Sequence, residues 1–183
     1  MTLPLPGGPP AEKRRAAMIR VDHAGEYGAV RIYEGQLAVL GRQARVAATR
    51  EAIGRMAAQE ARHLERFDAL ITAHHVRPTA LRPLWDVAGF ALGAATALMG
   101  EKAAMACTAA VEEVIEDHYA RQGESLGEAD RSFAKTIAEF RADEAEHRQT
   151  ALSAGAEDAP GYRLLSAAIK TGCRLAIKLS EKI

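Results

Sequence analysis

Apolar residues recur every three or four positions along most of the chain, the spacing that places them on one face of an α-helix. In the stretch 14–40 they are Ile19, Val30, Tyr33, Leu37 and Leu40. No convincing strand pattern accompanies them. Alanine makes up roughly a fifth of the chain, whereas β-branched and aromatic residues are few, and this composition favours helix over sheet. The sequence therefore predicts an all-α fold.

Loop signals divide the chain into five predicted helices. Their approximate bounds are 14–40, 44–74, 84–122, 127–153 and 162–180, with a break in the third near Gly100. Four long helices with short connections predict an antiparallel four-helix bundle with an additional terminal helix. Residues 1–13 are rich in proline and glycine and are interpreted as a flexible leader without a secretory signal, so we expect residues 14–183 to form a single domain.

Charge and cysteine usage exclude several classes of protein. Lysine and arginine number 24, as do aspartate and glutamate, so no basic excess is available for nucleic acid, and no nucleic-acid partner is expected. The two cysteines, Cys107 and Cys173, form no CxxC pair. A disulfide framework and a thiolate zinc site are thereby excluded, and a reducing compartment fits.

The segment Val87–Gly100 carries no charge over 14 residues. A transmembrane helix needs roughly 20 apolar residues, so this segment is too short to cross a bilayer alone. Two interpretations remain. The segment is either a helix buried in the bundle or an interfacial helix in one leaflet, with Trp85 and Arg82 near the headgroups.

Two of the six histidines follow a glutamate by three positions, in Glu60-Ala-Arg-His63 and Glu144-Ala-Glu-His147. Each pair interrupts an otherwise apolar helical face. The apolar neighbours are Met56, Phe67 and Leu70 in one helix, and Phe133, Ile137, Phe140 and Ala151 in the other. Because a buried carboxylate is costly unless it is paired or bound to a metal, both interruptions indicate a ligand site.

Two further helices each carry a lone acid on the equivalent stripe, Glu26 and Glu112. One Glu from each of two helices, with Glu-x-x-His from each of two others, is the ligand set of ferritin-like di-metal carboxylate proteins. Carboxylates and imidazoles suit iron or manganese. The predicted metal ligands are Glu26, Glu60, His63, Glu112, Glu144 and His147.

Other polar residues near these stripes have weaker assignments. Tyr119 either faces the metals, as a possible catalytic residue, or is a structural core residue. Glu116 is a candidate acid outside the ligand set. Asp22, His23, His118 and Asp143 are candidates to hydrogen-bond the ligands, although the phase of Asp143 favours an outward direction. His74 and His75 are interpreted as surface groups at a helix end.

Five stretches of the sequence resemble the demethoxyubiquinone hydroxylase family of ubiquinone biosynthesis. They are Ile19–Leu40, Arg77–Gly100, Glu101–Thr108, Glu112–Tyr119 and Gly172–Glu181. The resemblance covers the chain from Met18 to Ile183, and the first two stretches are long and specific. Carried over position by position, the family's ligands fall on the six residues predicted above, with no departure.

The resemblance implies a non-haem di-iron monooxygenase, an oxidoreductase with two iron ions and O2 as co-substrate. It implies hydroxylation of the ring of 2-polyprenyl-3-methyl-6-methoxy-1,4-benzoquinol, with electrons from NADH. It also implies a peripheral enzyme on the cytoplasmic face of a bacterial inner membrane and a lipid-binding accessory protein as partner. Helices apolar on two sides suggest a homo-oligomer.

Two other functions remain open from the residues. The first is an iron-oxidising or iron-handling protein without an organic substrate, against which the apolar segment Val87–Gly100 argues. The second is a peripheral membrane scaffold without metal, which leaves four buried glutamates unexplained.

Overall fold

The computed structural model describes residues 11–41 and 44–182, and this part of the chain contains six helices and no strand. The helices are α1 (Ala11–Leu40), α2 (Ala47–Ala73), α3 (Arg82–Leu98), α4 (Glu101–Ser125), α5 (Arg131–Ser153) and α6 (Tyr162–Ser180). The all-α prediction is confirmed.

The helix bounds differ from the predicted ones at a few ends. The predicted third helix is two helices, because the chain turns at Met99 and at Gly100, whose φ is +115°. A short 3-10 turn, Glu128–Asp130, precedes α5 and delays its start to Arg131. In the predicted leader, residues 11–13 belong to the first turn of α1, and residues 1–10 lie outside the described residues.

Four of the helices form the bundle. α1 packs against α2 to give a first hairpin, and α4 packs against α5 to give a second hairpin. Apolar clusters fill the core at both ends. One contains Leu40, Ile53, Met56 and Met105, and the other contains Ile19, Phe67, Leu70, Phe133 and Ile137. The ferritin-like arrangement leaves the bundle centre, between these clusters, to polar residues.

The remaining two helices lie on one side of the bundle, α3 against α1 and α6 against α4. Glycines set the closeness of α3 to α1. A Cβ added at Gly89 would lie 2.9 Å from the carbonyl oxygen of Gly28, and one added at Gly93 would overlap the backbone of Ile32. The hydrogen bond from Trp85 Nε1 to Ser180 Oγ, 3.0 Å, joins α3 to the C-terminal end of α6.

One face of α3 is buried and the other is apolar and exposed. Gly89, Gly93, Thr96 and Ala97 form the buried face, whereas Leu84, Val87, Leu98 and Met99 are more than half exposed. The interpretation of this segment as a helix buried in the bundle is therefore wrong for its outer face. Among the described residues, no helix combines the length and hydropathy needed to cross a membrane.

Candidate metal centre

The six predicted ligands meet in the centre of the bundle, where each is at most 2% exposed. Glu26 comes from α1, Glu60 and His63 from α2, Glu112 from α4, and Glu144 and His147 from α5. Helical phase explains the convergence, because a spacing of three turns an acid and an imidazole toward the same side of one helix.

Their ligand atoms form two overlapping groups. The first group is Glu26, Glu60, His63 and Glu144, and the second group is Glu60, Glu112, Glu144 and His147. Within each group the potential ligand atoms all lie within 4.8 Å of one another. Glu60 and Glu144 belong to both groups, so each could serve as a ligand to two cations.

Many of the polar atoms in these groups have no hydrogen-bond partner in the protein. Eight buried atoms make no hydrogen bond, namely Glu26 Oε2, both carboxylate oxygens of Glu60 and Glu144, Glu112 Oε2, and Nδ1 of His63 and His147. His147 Nδ1 lies 2.9 Å from Glu60 Oε1, yet the approach is not a hydrogen bond. Burial of unsatisfied carboxylates costs several kcal/mol each unless cations neutralise them. The donor set and its orphaned atoms therefore fit two divalent cations with a preference for oxygen and imidazole ligands.

Burial and the neighbouring carboxylates shift the pKa values of residues in this cluster. Burial, followed by the charges of Glu144 and Glu26, raises the pKa of Glu60 well above its ordinary value. Burial lowers the pKa of His63, but the carboxylates of Glu144 and Glu26 outweigh burial and raise it to about 10.

Two tyrosines hydrogen-bond the lone glutamates in a crossed arrangement. Tyr33 Oη on α1 donates to Glu112 Oε1 at 2.6 Å, and Tyr119 Oη on α4 donates to Glu26 Oε1. Burial raises the pKa of both phenols well above 10, so both remain donors. Each tyrosine follows the glutamate of its own helix by seven positions. This repeated Glu-x6-Tyr spacing could have identified Tyr33, which the sequence placed only in the apolar stripe.

The outer nitrogen of each ligand histidine contacts the opposite hairpin. His63 Nε2 lies 2.9 Å from Asp143 Oδ2, and His147 Nε2 lies 3.1 Å from Gln59 Oε1. Asp143 thus makes the candidate hydrogen bond to a ligand histidine, and its expected outward direction is wrong, because its partly exposed side chain reaches across to α2. Gln59 is not among the residues predicted from the sequence. Its position directly before Glu60, matching Asp143 before Glu144, is the available signal.

The other candidates do not contact the six ligands through a hydrogen bond. Asp22 Oδ1 pairs with His118 Nε2 at 3.0 Å, and His23 Nε2 pairs with Asp68 at 3.0 Å. Glu116 forms an ion pair with Arg148 instead of facing the cluster. His74 and His75 are exposed at the end of α2, as predicted.

A cavity of about 490 Å³ lies beside the cluster, bounded by α1, α3, α4 and α6. Its wall is almost entirely apolar and includes Gly25 and Val111, the neighbours of Glu26 and Glu112 in the chain. Trp85, Cys173 and Ser180 also line it. This cavity could not be predicted from the sequence, because it depends on how α3 and α6 dock.

The family model for ubiquinone biosynthesis protein COQ7 matches residues 13–180. The chain belongs to the COQ7 family. A relative in Rhodospirillum rubrum, 3-demethoxyubiquinol 3-hydroxylase, is 52% identical over 179 residues, which cover 98% of this chain and 83% of that protein.

Eukaryotic COQ7 relatives also match along most of the chain. The NADPH-dependent 3-demethoxyubiquinone 3-hydroxylase of Mus musculus, a mitochondrial protein, is 53% identical over 169 residues, which cover 90% of this chain and 76% of that protein. The mitochondrial 5-demethoxyubiquinone hydroxylase of Saccharomyces cerevisiae is 40% identical over 181 residues, which cover 91% of this chain and 77% of that protein. The predicted family resemblance is confirmed, and the two buried ligand groups are features of a COQ7 chain.

Proposed function

We propose that this protein is a di-iron monooxygenase that hydroxylates the ring of demethoxyubiquinol, 2-polyprenyl-3-methyl-6-methoxy-1,4-benzoquinol, in ubiquinone biosynthesis. The observation that carries the proposal is the set of eight buried, unpartnered ligand atoms at the bundle centre of a COQ7-family chain. The hydroxylase names of its relatives support the substrate.

The proposed iron ligands are Glu26, Glu60, His63, Glu112, Glu144 and His147. When bound, a pair of iron ions supplies the chemistry that activates O2. One oxygen atom of O2 replaces a ring hydrogen as a hydroxyl group, and the other leaves as water. The reaction consumes two electrons and two protons.

The residues of the chain hold and shield this site. Tyr33 and Tyr119 keep Glu112 and Glu26 in position through their hydrogen bonds. Phe140 stacks on the ring of His63, with the two ring centroids 3.8 Å apart, and fixes its plane. The apolar clusters at both bundle ends keep bulk water from the ligands. The proposed role of Tyr119 is thus to orient a ligand.

The apolar cavity is the proposed binding site for the substrate. Two residues of its wall, Gly25 and Val111, directly precede Glu26 and Glu112 in the sequence. The apolar wall suits a polyprenyl chain and a quinol ring. The exposed apolar face of α3 borders the same side of the bundle. This face supports peripheral attachment to one leaflet, which we place at the cytoplasmic side of a bacterial inner membrane.

The reductant and protein partners belong to the same proposal. The family resemblance implies NADH, whereas the mouse relative is named NADPH-dependent. We propose a nicotinamide nucleotide as electron source, with the choice between the two decided by parallel assays. A lipid-binding accessory protein and a second copy of the chain are the proposed protein partners.

The test is a quinone profile by mass spectrometry in an aerobic host that lacks the hydroxylase. Wild-type protein should convert accumulated demethoxyubiquinone to ubiquinone, whereas Glu144→Ala should not. Glu146→Ala, an exposed neighbour on the same helix, serves as the matched control and should restore ubiquinone. An unchanged profile with well-folded wild-type protein would reject the substrate. Iron oxidation without an organic substrate would then be the function to test next.

A further inference from the structure

The two ligand histidines are held by chemically different partners. In each, Nδ1 faces the cluster without a hydrogen bond and Nε2 faces the opposite hairpin. His63 Nε2 meets the carboxylate of Asp143, whereas His147 Nε2 meets the amide of Gln59. The two partners occupy equivalent positions, each directly before the glutamate of a Glu-x-x-His pair. The hairpins therefore repeat the same contact with one change of chemistry.

A carboxylate fixes the imidazole tautomer and an amide does not. An ionised carboxylate only accepts hydrogen bonds, so Asp143 holds a proton on His63 Nε2, and Nδ1 is the nitrogen that gives up its proton to a cation. The amide of Gln59 accepts through its oxygen but donates through its nitrogen when turned over, so it satisfies either tautomer of His147. A carboxylate partner also increases the electron density of the ring and its strength as a ligand.

The side chains that pack near the two histidine rings also differ. Phe140, which precedes Glu144 by four positions, stacks on His63 with an interplanar angle of 23°. The equivalent residue, which precedes Glu60 by four positions, is Met56, whose sulfur accepts a hydrogen bond from Tyr33 Oη at 3.9 Å. His63 is thus fixed by a carboxylate and an aromatic ring, and His147 has a neutral amide in place of the carboxylate.

We propose that the two cation positions are unequal, and that the first group, which contains His63, binds its ion more tightly than the second group, which contains His147. Asp143 and Gln59 are the positioning residues that set this order. The inference rests on the proposed di-iron function. It adds that the chain binds its two ions in sequence, with the Glu26–His63 side filled first and emptied last.

The experiment is an anaerobic Fe²⁺ titration of the whole metal-free protein against a coloured chelator, which yields two dissociation constants. Mössbauer spectra at one and two equivalents of ⁵⁷Fe provide a second readout that does not depend on activity. The variants are Asp143→Asn and Gln59→Glu, which exchange carboxylate and amide without changing size. Asp68→Asn is the matched control, because it removes a carboxylate from His23, a histidine outside both groups.

Wild-type protein should bind one ion tightly and the other more weakly. One equivalent of ⁵⁷Fe should give a Mössbauer spectrum dominated by one component. Asp143→Asn should weaken the tight constant by about 10- to 100-fold and mix the spectrum at one equivalent, because loss of such a partner lowers metal affinity by this factor. Gln59→Glu should tighten the weaker constant, and Asp68→Asn should change neither.

Other results separate this inference from the proposed function. Two equal wild-type constants, or a change only of the weaker constant in Asp143→Asn, would overturn the unequal positions and leave the di-iron function intact. Wild-type protein that binds no iron would overturn both.

Discussion

Asp22 is a carboxylate buried between α1 and α4, outside both ligand groups, at 2% exposure. Its Oδ1 accepts hydrogen bonds from Gln122 Nε2 at 2.7 Å and from His118 Nε2 at 3.0 Å, and its Oδ2 has no partner. Burial raises the pKa of Asp22 to about 6, a rise limited by His118 and Gln122 and increased by the charge of Glu26. The folded protein therefore binds a proton at Asp22 more tightly than the unfolded chain.

This proton makes stability fall as the pH rises from about 4 to about 6, because the folded state binds more protons there than the unfolded state. Asp22→Asn keeps the size of the side chain and removes the titration. We expect the free energy of unfolding of Asp22→Asn, relative to wild type, to increase by about 2 kcal/mol between pH 4 and pH 7. Urea denaturation of the metal-free proteins at several pH values measures this difference.

Asp117→Asn on the exposed side of α4 is the control and should track wild type at every pH. A difference between Asp22→Asn and wild type that stays constant with pH would show that the carboxylate titrates normally in the folded state.

The sequence predicted which side chains face the bundle centre, because helical phase alone determines that face. Phase places Glu60 with His63 and Glu144 with His147 without knowledge of any neighbour. It does not determine what lies beyond a histidine ring. Asp143 and Gln59 reach their partners only because α2 and α5 lie at a particular position relative to each other along the bundle axis. The packing of all four helices determines that position.

At the scale of the helices, the contact between α1 and α3 depends on glycine. Gly35 on α1 and Gly93 on α3 leave no room for a Cβ, because an atom there would overlap the backbone of Phe90 or of Ile32. Backbone atoms cannot move aside as a flexible side chain can. The two helices would have to separate along their whole contact, which also forms one wall of the cavity.

Gly93→Ala should therefore destabilise the protein by about 1–3 kcal/mol or more through overpacking, despite the better helix propensity of alanine. Gly123→Ala on the exposed side of α4 has open space and should be neutral or stabilising by up to about 1 kcal/mol. Thermal and urea denaturation measure both changes. Equal stability of the two variants would show that α3 docks on α1 without close backbone contact.

Glycine and proline marked most helix ends in the sequence, and the break at Gly100 was predicted for this reason. The separate position of α3 was not predictable. Small residues at Gly89 and Gly93 suit close packing against any helix, and only the docked structure identifies α1 as the partner.

At the scale of the whole molecule, α3 and α6 give the bundle one apolar side. Val87 is 67% exposed and Leu98 is 76% exposed, on the helix that walls the cavity. The opposite side carries α2 and α5 with small exposed residues, including Ala58 and Ala142. A lipid surface would therefore meet the α3 side and the cavity together.

The double variant Val87→Glu/Leu98→Glu should bind vesicles of phosphatidylethanolamine and phosphatidylglycerol at least tenfold more weakly than wild type. Burial of each apolar side chain contributes roughly 1.5–3 kcal/mol, and a glutamate in its place is repelled by the anionic lipid. Cosedimentation with vesicles measures the bound fraction. The control Ala58→Glu/Ala142→Glu adds the same charge to the other side and should bind nearly as wild type. Equal loss in both variants would indicate that net charge, and not the α3 face, governs attachment.

The two ligand groups also affect how the protein unfolds. The first group has three residues on the α1–α2 hairpin and Glu144 on the α4–α5 hairpin. The second group has three residues on the α4–α5 hairpin and Glu60 on the α1–α2 hairpin. Each proposed ion would therefore cross-link the two hairpins. The loaded bundle could not open along the seam between them without releasing iron. Its lifetime against unfolding would then be governed by the rate of metal loss more than by the packing of its core.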